Sequence, residues 1–405
     1  MRLPPVRFLG ASSGLALDWE NVYLESLSEV EEVRKSIPSE GTDFRASRKA
    51  MTERNAHPLR KYATRSASIS DVAVRAGVSI ATVSRVVNGV ANKASSETVE
   101  RVHRAIAELG YRPGSVGRAL RRGESRLVAV LAANLANPAM AAIAASTEAA
   151  LRWAGLVMVL CDTHDRPELQ DEYLLEMRAQ FARAIVLLGA VPSRELSAFR
   201  SAGEPLVFVN RRAPPEPSAG PAPFVGIDNR AAGAAVAEIV RRRGARFVGL
   251  VHSARTSSAT ADRIDGFLNA WFSSGGDPAS IRRIASDALD HLRIGHEAAS
   301  KLLAANHGER PDAIVCLSDL IAYGVYRRLG EEGVKVPDHC LVTGFDDSPL
   351  NDWIAPWLTS VGIPYEAYGG AILSAVERLG AGLAGLPTLL PYRLAIRGYD
   401  LAKVD

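Results

Sequence analysis

The sequence predicts an N-terminal all-α helix-turn-helix unit followed by an α/β region of two subdomains, each a doubly wound parallel sheet. Three observations predict it. Residues Ser68 to Arg85 form two short amphipathic helical patterns around a Gly-Val-Ser turn. Beyond Arg126, short apolar runs alternate with amphipathic stretches, the pattern of buried parallel strands separated by helices. That second pattern occupies roughly 280 residues, enough for two such sheets, and a chain of 405 residues at 47% hydrophobic has room for two or three domains with a substantial core.

Residues 1–65 mix Pro and Ser breaks with one amphipathic pattern, Trp19 to Lys35, where Tyr23, Leu24, Leu27, Val30 and Val33 lie beside Glu25, Glu29, Glu31 and Glu32. This leader reads as disordered or untranslated, Met51 being a natural start, with an interaction helix as the alternative. Arg45 to Arg65 is basic enough to graze phosphates, although such a run more simply makes a solvated face. The start of the chain has no apolar core long enough for a signal peptide. No later run of about 18 residues is free of polar interruption, so no membrane partner and a cytoplasmic location are expected.

The helix-turn-helix is specified residue by residue. Ser68 can cap the first helix with Asp71 at its third position, Val72, Ala73 and Ala76 give it an apolar face, and Gly77 suits the left-handed backbone that ends it. Val78 would plug the angle between the helices. Ser79 can cap the second, whose Val83, Val86 and Val87 turn inward and leave Ile80, Ala81, Thr82, Ser84 and Arg85 outward. In a helix-turn-helix this part of the second helix meets base edges in the major groove, Arg85 being suited to guanine and Ile80 and Ala81 to a thymine methyl. A small helical hairpin without a DNA role is the alternative. Asn88-Gly89 ends the second helix, and Ser95 can cap a third, in which Val99, Val102, Ile106 and Leu109 share one face up to Gly110. A proline-started, glycine-ended basic strip follows, Pro113 to Gly123. Residues 66–125 hold nine Lys and Arg against five Asp and Glu, a net of +4 that exceeds the +3 of the whole chain. Positive charge is concentrated where phosphates would lie.

The strands expected after Arg126 are Leu127 to Ala132, Leu156 to Leu160, Ala184 to Leu188, Leu206 to Val209, Phe247 to Val251, Ala313 to Leu317 and Cys340 to Gly344, completed near Thr359 to Ile363 and Pro391 to Ile396. Arg212 to Pro223, rich in Pro, reads as a loop between strands. Ligands of open α/β sheets sit beyond the carboxyl ends of strands. The loops there offer Asn137, Asn210-Arg211, Arg263, Ser318-Asp319 and Asp346. A guanidinium facing carboxylates and amides suits a polyhydroxylated or anionic small molecule. For Arg263 a surface salt bridge is the alternative; Asp319 and Asp228 are expected to cap the helices that follow them.

With these residues in place the chain resembles the LacI/GalR family of transcriptional regulators. The resemblance runs from about Ser68 to about Tyr399. It rests on the string from Asp71 to Asn88, on Leu-Gly-Tyr-Arg-Pro at Leu109 to Pro113, and on Gly-Phe-Asp-Asp at Gly344 to Asp347. It implies a periplasmic-binding-protein-like effector region whose subdomains are joined by three crossovers. It also implies a homodimer on double-stranded operator DNA, and a hinge helix over Gly114 to Arg122 that places Leu120 in the minor groove as a wedge. A linker leucine is the other reading of Leu120. The DNA-binding set is then Ser79, Ile80, Ala81, Thr82, Ser84, Arg85 and Asn88, with Arg118, Leu120 and Arg121 from the strip. The effector-binding set is Asn137, Asn210, Arg263, Ser318 and Asp346. The implied domains are a leader (1–65), a DNA-binding domain (66–112), a hinge (113–125) and an effector-binding and dimerisation region (126–405). The chain departs from the family pattern at Gly114 and Gly117, at Ala139 and Met140 where two aromatics are common, at Asp290 where an aromatic is common, and at Ser318 where Asn is common. A sugar or related metabolite is thus the family default for the effector, and its identity stays open.

Enzyme signatures are missing: no Gly-x-Gly-x-x-Gly after a strand, no Walker motif and no His-Glu-x-x-His. Gly10-Ala11-Ser12-Ser13-Gly14 matches the spelling of a nucleophile elbow, with no strand before it. His252, His291, His296, His307 and His339 are scattered singles, and Cys161, Cys316 and Cys340 lie in or beside apolar runs without a Cys-x-x-Cys, as reduced buried thiols do. No catalytic residue, cofactor or metal is expected. The expected function is a transcriptional regulator, most simply a repressor, controlled by a small-molecule effector; the alternatives are a cytosolic small-molecule-binding module and an α/β enzyme without a DNA role.

A glycine inside a helix costs about 1 kcal/mol relative to alanine. Gly117→Ala is therefore expected to tighten operator binding in a titration at fixed salt; equal or weaker affinity would contradict the hinge-helix expectation.

Overall fold

The structure is a computed structural model that describes residues 67–88, 94–111, 125–288, 290–304 and 310–398. The leader pattern Trp19 to Lys35 and the hinge residues Gly114, Gly117, Arg118, Leu120 and Arg121 lie outside the described residues. The chain divides into two compact units, Met1–Arg112 and Pro113–Asp405.

The first unit contains α1 (Ile69–Ala76), α2 (Ile80–Val87) and α3 (Ser96–Leu109). Ser68 and Asp71 form the reciprocal cap that the sequence specified: the Asp71 N–H donates to Ser68 Oγ at 3.2 Å and the Ser68 N–H to Asp71 Oδ2 at 2.8 Å. Gly77 leaves α1 at φ 64°, and Ser79 and Ser95 accept from the backbones of Thr82 and Thr98 to start α2 and α3. Each such cap stabilises its helix by about 1 kcal/mol. Val72, Ala73, Ala76, Val83, Val86, Val102 and Ala105 close one core, with Val78 and Tyr111 packed on it.

The second unit alternates strands and helices. Its first lobe holds β1 (Leu127–Ala132), α4 (Pro138–Trp153), β2 (Val157–Asp162), α5 (Pro167–Ala179), β3 (Ala184–Leu188), α6 (Arg194–Ser201), β4 (Leu206–Val209) and β5 (Phe224–Ile227). The chain then crosses to α7 (Asn229–Arg242), β6 (Val248–Ser253), α8 (Ser258–Ser273), β7 (Ile281–Ser286), α9 (His291–Ala304), β8 (Ala313–Cys316), α10 (Asp319–Glu331), β9 (Leu341–Asp346), α11 (Asn351–Ile354) and β10 (Thr359–Gly362). It returns through α12 (Tyr365–Gly380) to β11 (Pro387–Leu390), and crosses once more to β12 (Arg393–Ala395). The sheet orders are β11-β5-β4-β3-β1-β2 and β12-β10-β9-β8-β6-β7. All pairings are parallel except β10 with β12, so both lobes are doubly wound and the chain crosses between them three times.

Strands β5, β7 and β11 were not among the expected ones, for physical reasons. β5 is a four-residue Phe-Val-Gly-Ile emerging from a Pro-rich loop, β7 is an edge strand carrying Arg282 and Arg283, and β11 opens on a proline at the other sheet's edge. The edge strands β7 and β11 are largely exposed and lack the continuous apolar run that marked β3, β4, β8 and β9, while β5 is internal but only four residues long.

Close backbone approach sets the second lobe. A Cβ at Gly266 on α8 would sit 2.0 Å from the Arg230 carbonyl of α7, and one at Gly233 on α7 would sit 2.2 Å from the Arg263 carbonyl of α8. The two helices therefore touch at glycines, and their crossing fixes where Arg263 points. Gly266→Ala must separate them; it is expected to cost about 1–3 kcal/mol in chemical denaturation of the full chain. An unchanged midpoint would contradict the packing.

Candidate nucleic-acid interface and interlobe cleft

In the first unit, α2 buries Val83 and Val86 and exposes Ser79, Ala81, Arg85 and Ile80, the last at 50%. Thr82 and Ser84 are half-buried beside them. An isoleucine half in water at the first turn of a helix, next to a solvent-facing arginine, leaves apolar surface available to a partner. Ser79 Oγ lies 2.9 Å from Thr82 Oγ1, and the Asn88 amide donates to Ser84 Oγ at 3.3 Å, so the cap residues are held in place at both ends of the helix. Arg75 on α1 pairs with Glu108 on α3 at 2.6 Å, away from that face.

In the second unit, the carboxyl ends of the strands converge on a seam between the lobes. The backbone is left-handed at non-glycine residues just beyond three of them: His164 and Asp165 after β2 (φ 50° and 57°), Asn210 after β4 (62°), and Asp346 and Asp347 at the end of β9 (111° and 50°). Such conformations cost of order 1–3 kcal/mol each and cluster at ligand clamps.

Arg263 projects from α8 into the seam. Its Nε donates to Asn229 Oδ1 at 2.8 Å, its Nη1 donates to the Leu317 carbonyl at the end of β8 at 2.8 Å, and its guanidinium carbon lies 4.5 Å from the centroid of Phe345. Desolvation lowers its pKa, and the carboxylate of Asp346 opposes that shift. Arg263 is half-buried and makes no ion pair with a described residue, which is not the surface salt bridge weighed for it. Asp346 is pushed upward by its own burial, while Arg263 and a hydrogen bond from Asn137 of the other lobe pull it back. Asn137 caps α4, accepting from the Ala139 N–H at 2.9 Å. Asn210 accepts from the Tyr368 hydroxyl at 2.8 Å. Asn137, Arg263 and Asp346 therefore meet at one seam, with Asn210 on the loop at its first-lobe side.

One expected cap changes and one holds. Asp319 does not cap α10; Ser318 does, its Oγ accepting from the Ile321 N–H at 3.3 Å. Asp319 is instead the buried hub behind Asp346, accepting from the Ser348 N–H and the Asn351 amide at 2.8 Å each and from the Ser360 hydroxyl at 2.6 Å. A cap is a local role, and these partners arrive from β10 and the β9–α11 turn. Asp228 does cap α7, accepting from the Ala231 N–H. Asp290, at the aromatic-depleted position, is exposed.

His291, Tyr365 and Tyr368 join the seam without having been expected there, and Arg211, expected with Asn210, gains partners. His291 Nδ1 lies 3.2 Å from Ser318 Oγ, and burial, then the charge of Arg211, lowers its pKa. Arg211 is held by Asp165 at 2.5 Å and donates to the Gly189 carbonyl at 3.2 Å. The Tyr365 hydroxyl donates to the Asp346 carbonyl at 2.7 Å, and burial raises both Tyr365 and Tyr368. A Tyr pair three apart at the start of a helix was the available signal for the last two. Cys316 and Cys340 are buried and Cys161 is half-buried, all three as free thiols. Among the described residues no cluster of His, Cys, Asp and Glu could hold a metal ion, and no helix is long and apolar enough to cross a membrane.

Comparison with known proteins adds independent findings. The family description "Bacterial regulatory proteins, lacI family" matches residues 68–114, and "Periplasmic binding protein-like domain" matches residues 237–398. The chain is 32% identical over 321 residues to the HTH-type transcriptional regulator GntR of Pseudomonas aeruginosa, covering 78% of this chain and 90% of that protein. A structure titled transcriptional regulator CelR-cellobiose complex superposes with a TM-score of 0.59 at 25% identity, covering 82% of this chain and 99% of that one. The Lac repressor dimer bound to operator and the anti-inducer ONPF superposes with a TM-score of 0.66 at 24% identity, covering 82% and 98%, a likeness of fold.

The buried carboxyl of Asp319 has a testable consequence. Burial, then repulsion from Asp346, raises its pKa in the folded protein. A carboxyl raised on folding binds its proton more tightly folded than unfolded, so its contribution to stability is complete below the ordinary carboxylate range and is lost as pH rises through the raised value. Relative to Asp319→Asn, the unmodified protein is therefore expected to lose stability from about pH 4 to about pH 8 in thermal unfolding. Parallel pH curves for the two proteins would contradict this.

Proposed function

The chain belongs to the lacI family of bacterial regulatory proteins, which are DNA-binding transcriptional regulators, and we propose that it is a repressor whose operator affinity is set by an uncharged or weakly charged polyhydroxylated effector held between the lobes. Arg263 carries this reading. Its Nε and Nη1 are taken by Asn229 and Leu317, its Nη2 makes no hydrogen bond to a described residue, and the guanidinium as a whole feels the charge of Asp346. A guanidinium edge beside a carboxylate and the Asn137 amide offers a donor fork and acceptors to vicinal hydroxyls. The two nearby arginines each have a counter-charge, Arg211 with Asp165 and Arg212 with Asp262, which disfavours a ligand of large negative charge. Asn210 and Ser318 complete the proposed effector set, and His291 lies beside Ser318.

The proposed DNA contacts are Ser79, Ile80, Ala81, Thr82, Ser84, Arg85 and Asn88, with Arg118 and Arg121 on phosphates and Leu120 as the minor-groove wedge. The proposed boundaries are 66–112 for the reader, 113–125 for the hinge and 126–405 for the effector and dimerisation region. A cytoplasmic homodimer would present two copies of α2 to half-sites about one helical turn apart. An effector that binds the two lobe arrangements with different affinity changes operator affinity by that difference.

Against a DNA duplex selected by the unmodified protein from a random-sequence library, Arg85→Ala is expected to weaken binding about 5- to 150-fold and relax the preference at one base position, as loss of one base contact does. Unchanged affinity and preference would favour a small-molecule-binding module without a DNA role.

A further inference from the structure

The loop that leaves β4 carries three consecutive polar residues with three different duties. Asn210 accepts from Tyr368, Arg211 is fixed within its own lobe by Asp165 and Gly189, and Arg212 reaches into the other lobe. There the Arg212 guanidinium forks onto Asp262 of α8, one N–O pair being a close contact and the second, Nη2 to Oδ1, lying at 3.1 Å. The Arg212 backbone N–H also donates to Ser258 Oγ, in the first turn of the same helix, at 2.8 Å. One residue of the first lobe thus holds α8 of the second at two successive turns. Asp262 itself is 7% exposed and has Arg230 of α7 as a second, more distant partner, with Nη2 at 3.5 Å.

The placement matters more than the contact. Arg212 is two residues from Asn210, and Asp262 is the residue before Arg263. The protein's own link between the lobes therefore runs alongside the link that a ligand touching Asn210 and Arg263 would make. We infer that Arg212 and Asp262 are a positioning pair, a clasp that holds the two lobes in the arrangement seen in the structure and sets how far a ligand can shift it. The inference rests on the reading of the seam as the effector site. A link that already favours this arrangement means that a ligand bridging the same elements meets a preformed site, and the range over which ligand can move the lobes is smaller. The pair touches no reacting or binding atom itself; it acts through the helix that carries Arg263.

Two full-length variants test it. Arg212→Gln removes the fork and leaves the backbone N–H; the double variant Arg212→Cys with Ser258→Cys, oxidised, ties the same loop to the same helix covalently, with the oxidised unmodified protein as its control. Amide hydrogen exchange is read at residues 137–140 and 346–348, which flank the separate Asn137–Asp346 contact. The expected result is faster exchange at both remote segments in Arg212→Gln and slower exchange in the cross-linked protein. In parallel, affinity for the library-selected duplex is expected to move in opposite directions in the two proteins, by about 5-fold or more. Exchange changes confined to residues 210–213 and 258–262, or duplex affinities that move together or not at all, would overturn the clasp and leave a local surface ion pair. Failure of the unmodified protein to select any duplex would instead count against the regulator reading, with the exchange comparison still deciding the clasp.

Discussion

A guanidinium taken out of water has to be repaid in hydrogen bonds and counter-charge, and the seam of the second unit is arranged around that requirement at Arg263. Asn229 and the Leu317 carbonyl take two of its edges, Phe345 lies against its face and Asp346 supplies the charge. Asp346 in turn is buried and needs support, which comes from Arg263 on one side and from Asn137 of the other lobe. Removing Arg263 would leave the buried Asp346 without its counter-charge, and the Asn137 contact of Asp346 joins the two lobes through a site that still leaves one arginine edge unused.

The scaffold that makes this possible is built from short-range steric rules. Helices α7 and α8 touch at Gly233 and Gly266, and α9 and α10 repeat the arrangement at Gly295 and Gly324, where an added Cβ would sit 2.0 Å from the partner's carbonyl. These contacts fix how closely α7 approaches α8 and α9 approaches α10. The left-handed turns after β2, β4 and β9 then bring the ends of strands from both lobes to the same seam, at a conformational cost offset elsewhere in the fold.

How much of this was legible in the sequence depended on distance along the chain. The caps at Ser68, Ser79 and Ser95 and the inward face of α2 are local, and they were read residue by residue. The strands buried on both faces announced themselves as apolar runs, whereas β5, β7 and β11, lying at or near sheet edges or after prolines, did not. For the cleft, the rule that ligand groups follow strand ends pointed to Asn137, Asn210, Ser318 and Asp346, which do lie just beyond or at the ends of strands, whereas Arg263 lies within α8 rather than in a loop, and the rule could assign no partners. Asp319 looked like a helix cap because Asp often is one; its hub role is conferred by Ser348, Asn351 and Ser360, which reach it only after the chain has folded back. Tyr365, Tyr368, His291 and Arg212 became visible for the same reason, through contacts between elements far apart in sequence.

The central claim is that a ligand held at Arg263 and Asp346 controls what the first unit does on DNA. The most direct measurement is anisotropy of the selected duplex with the unmodified protein and with Arg263→Ala, each titrated with a fractionated small-metabolite extract from the source cell. The account predicts that one fraction shifts duplex affinity of the unmodified protein by at least about 5-fold, while Arg263→Ala binds the duplex but ignores that fraction. A fraction that shifts both proteins equally, or the absence of any active fraction, would contradict it.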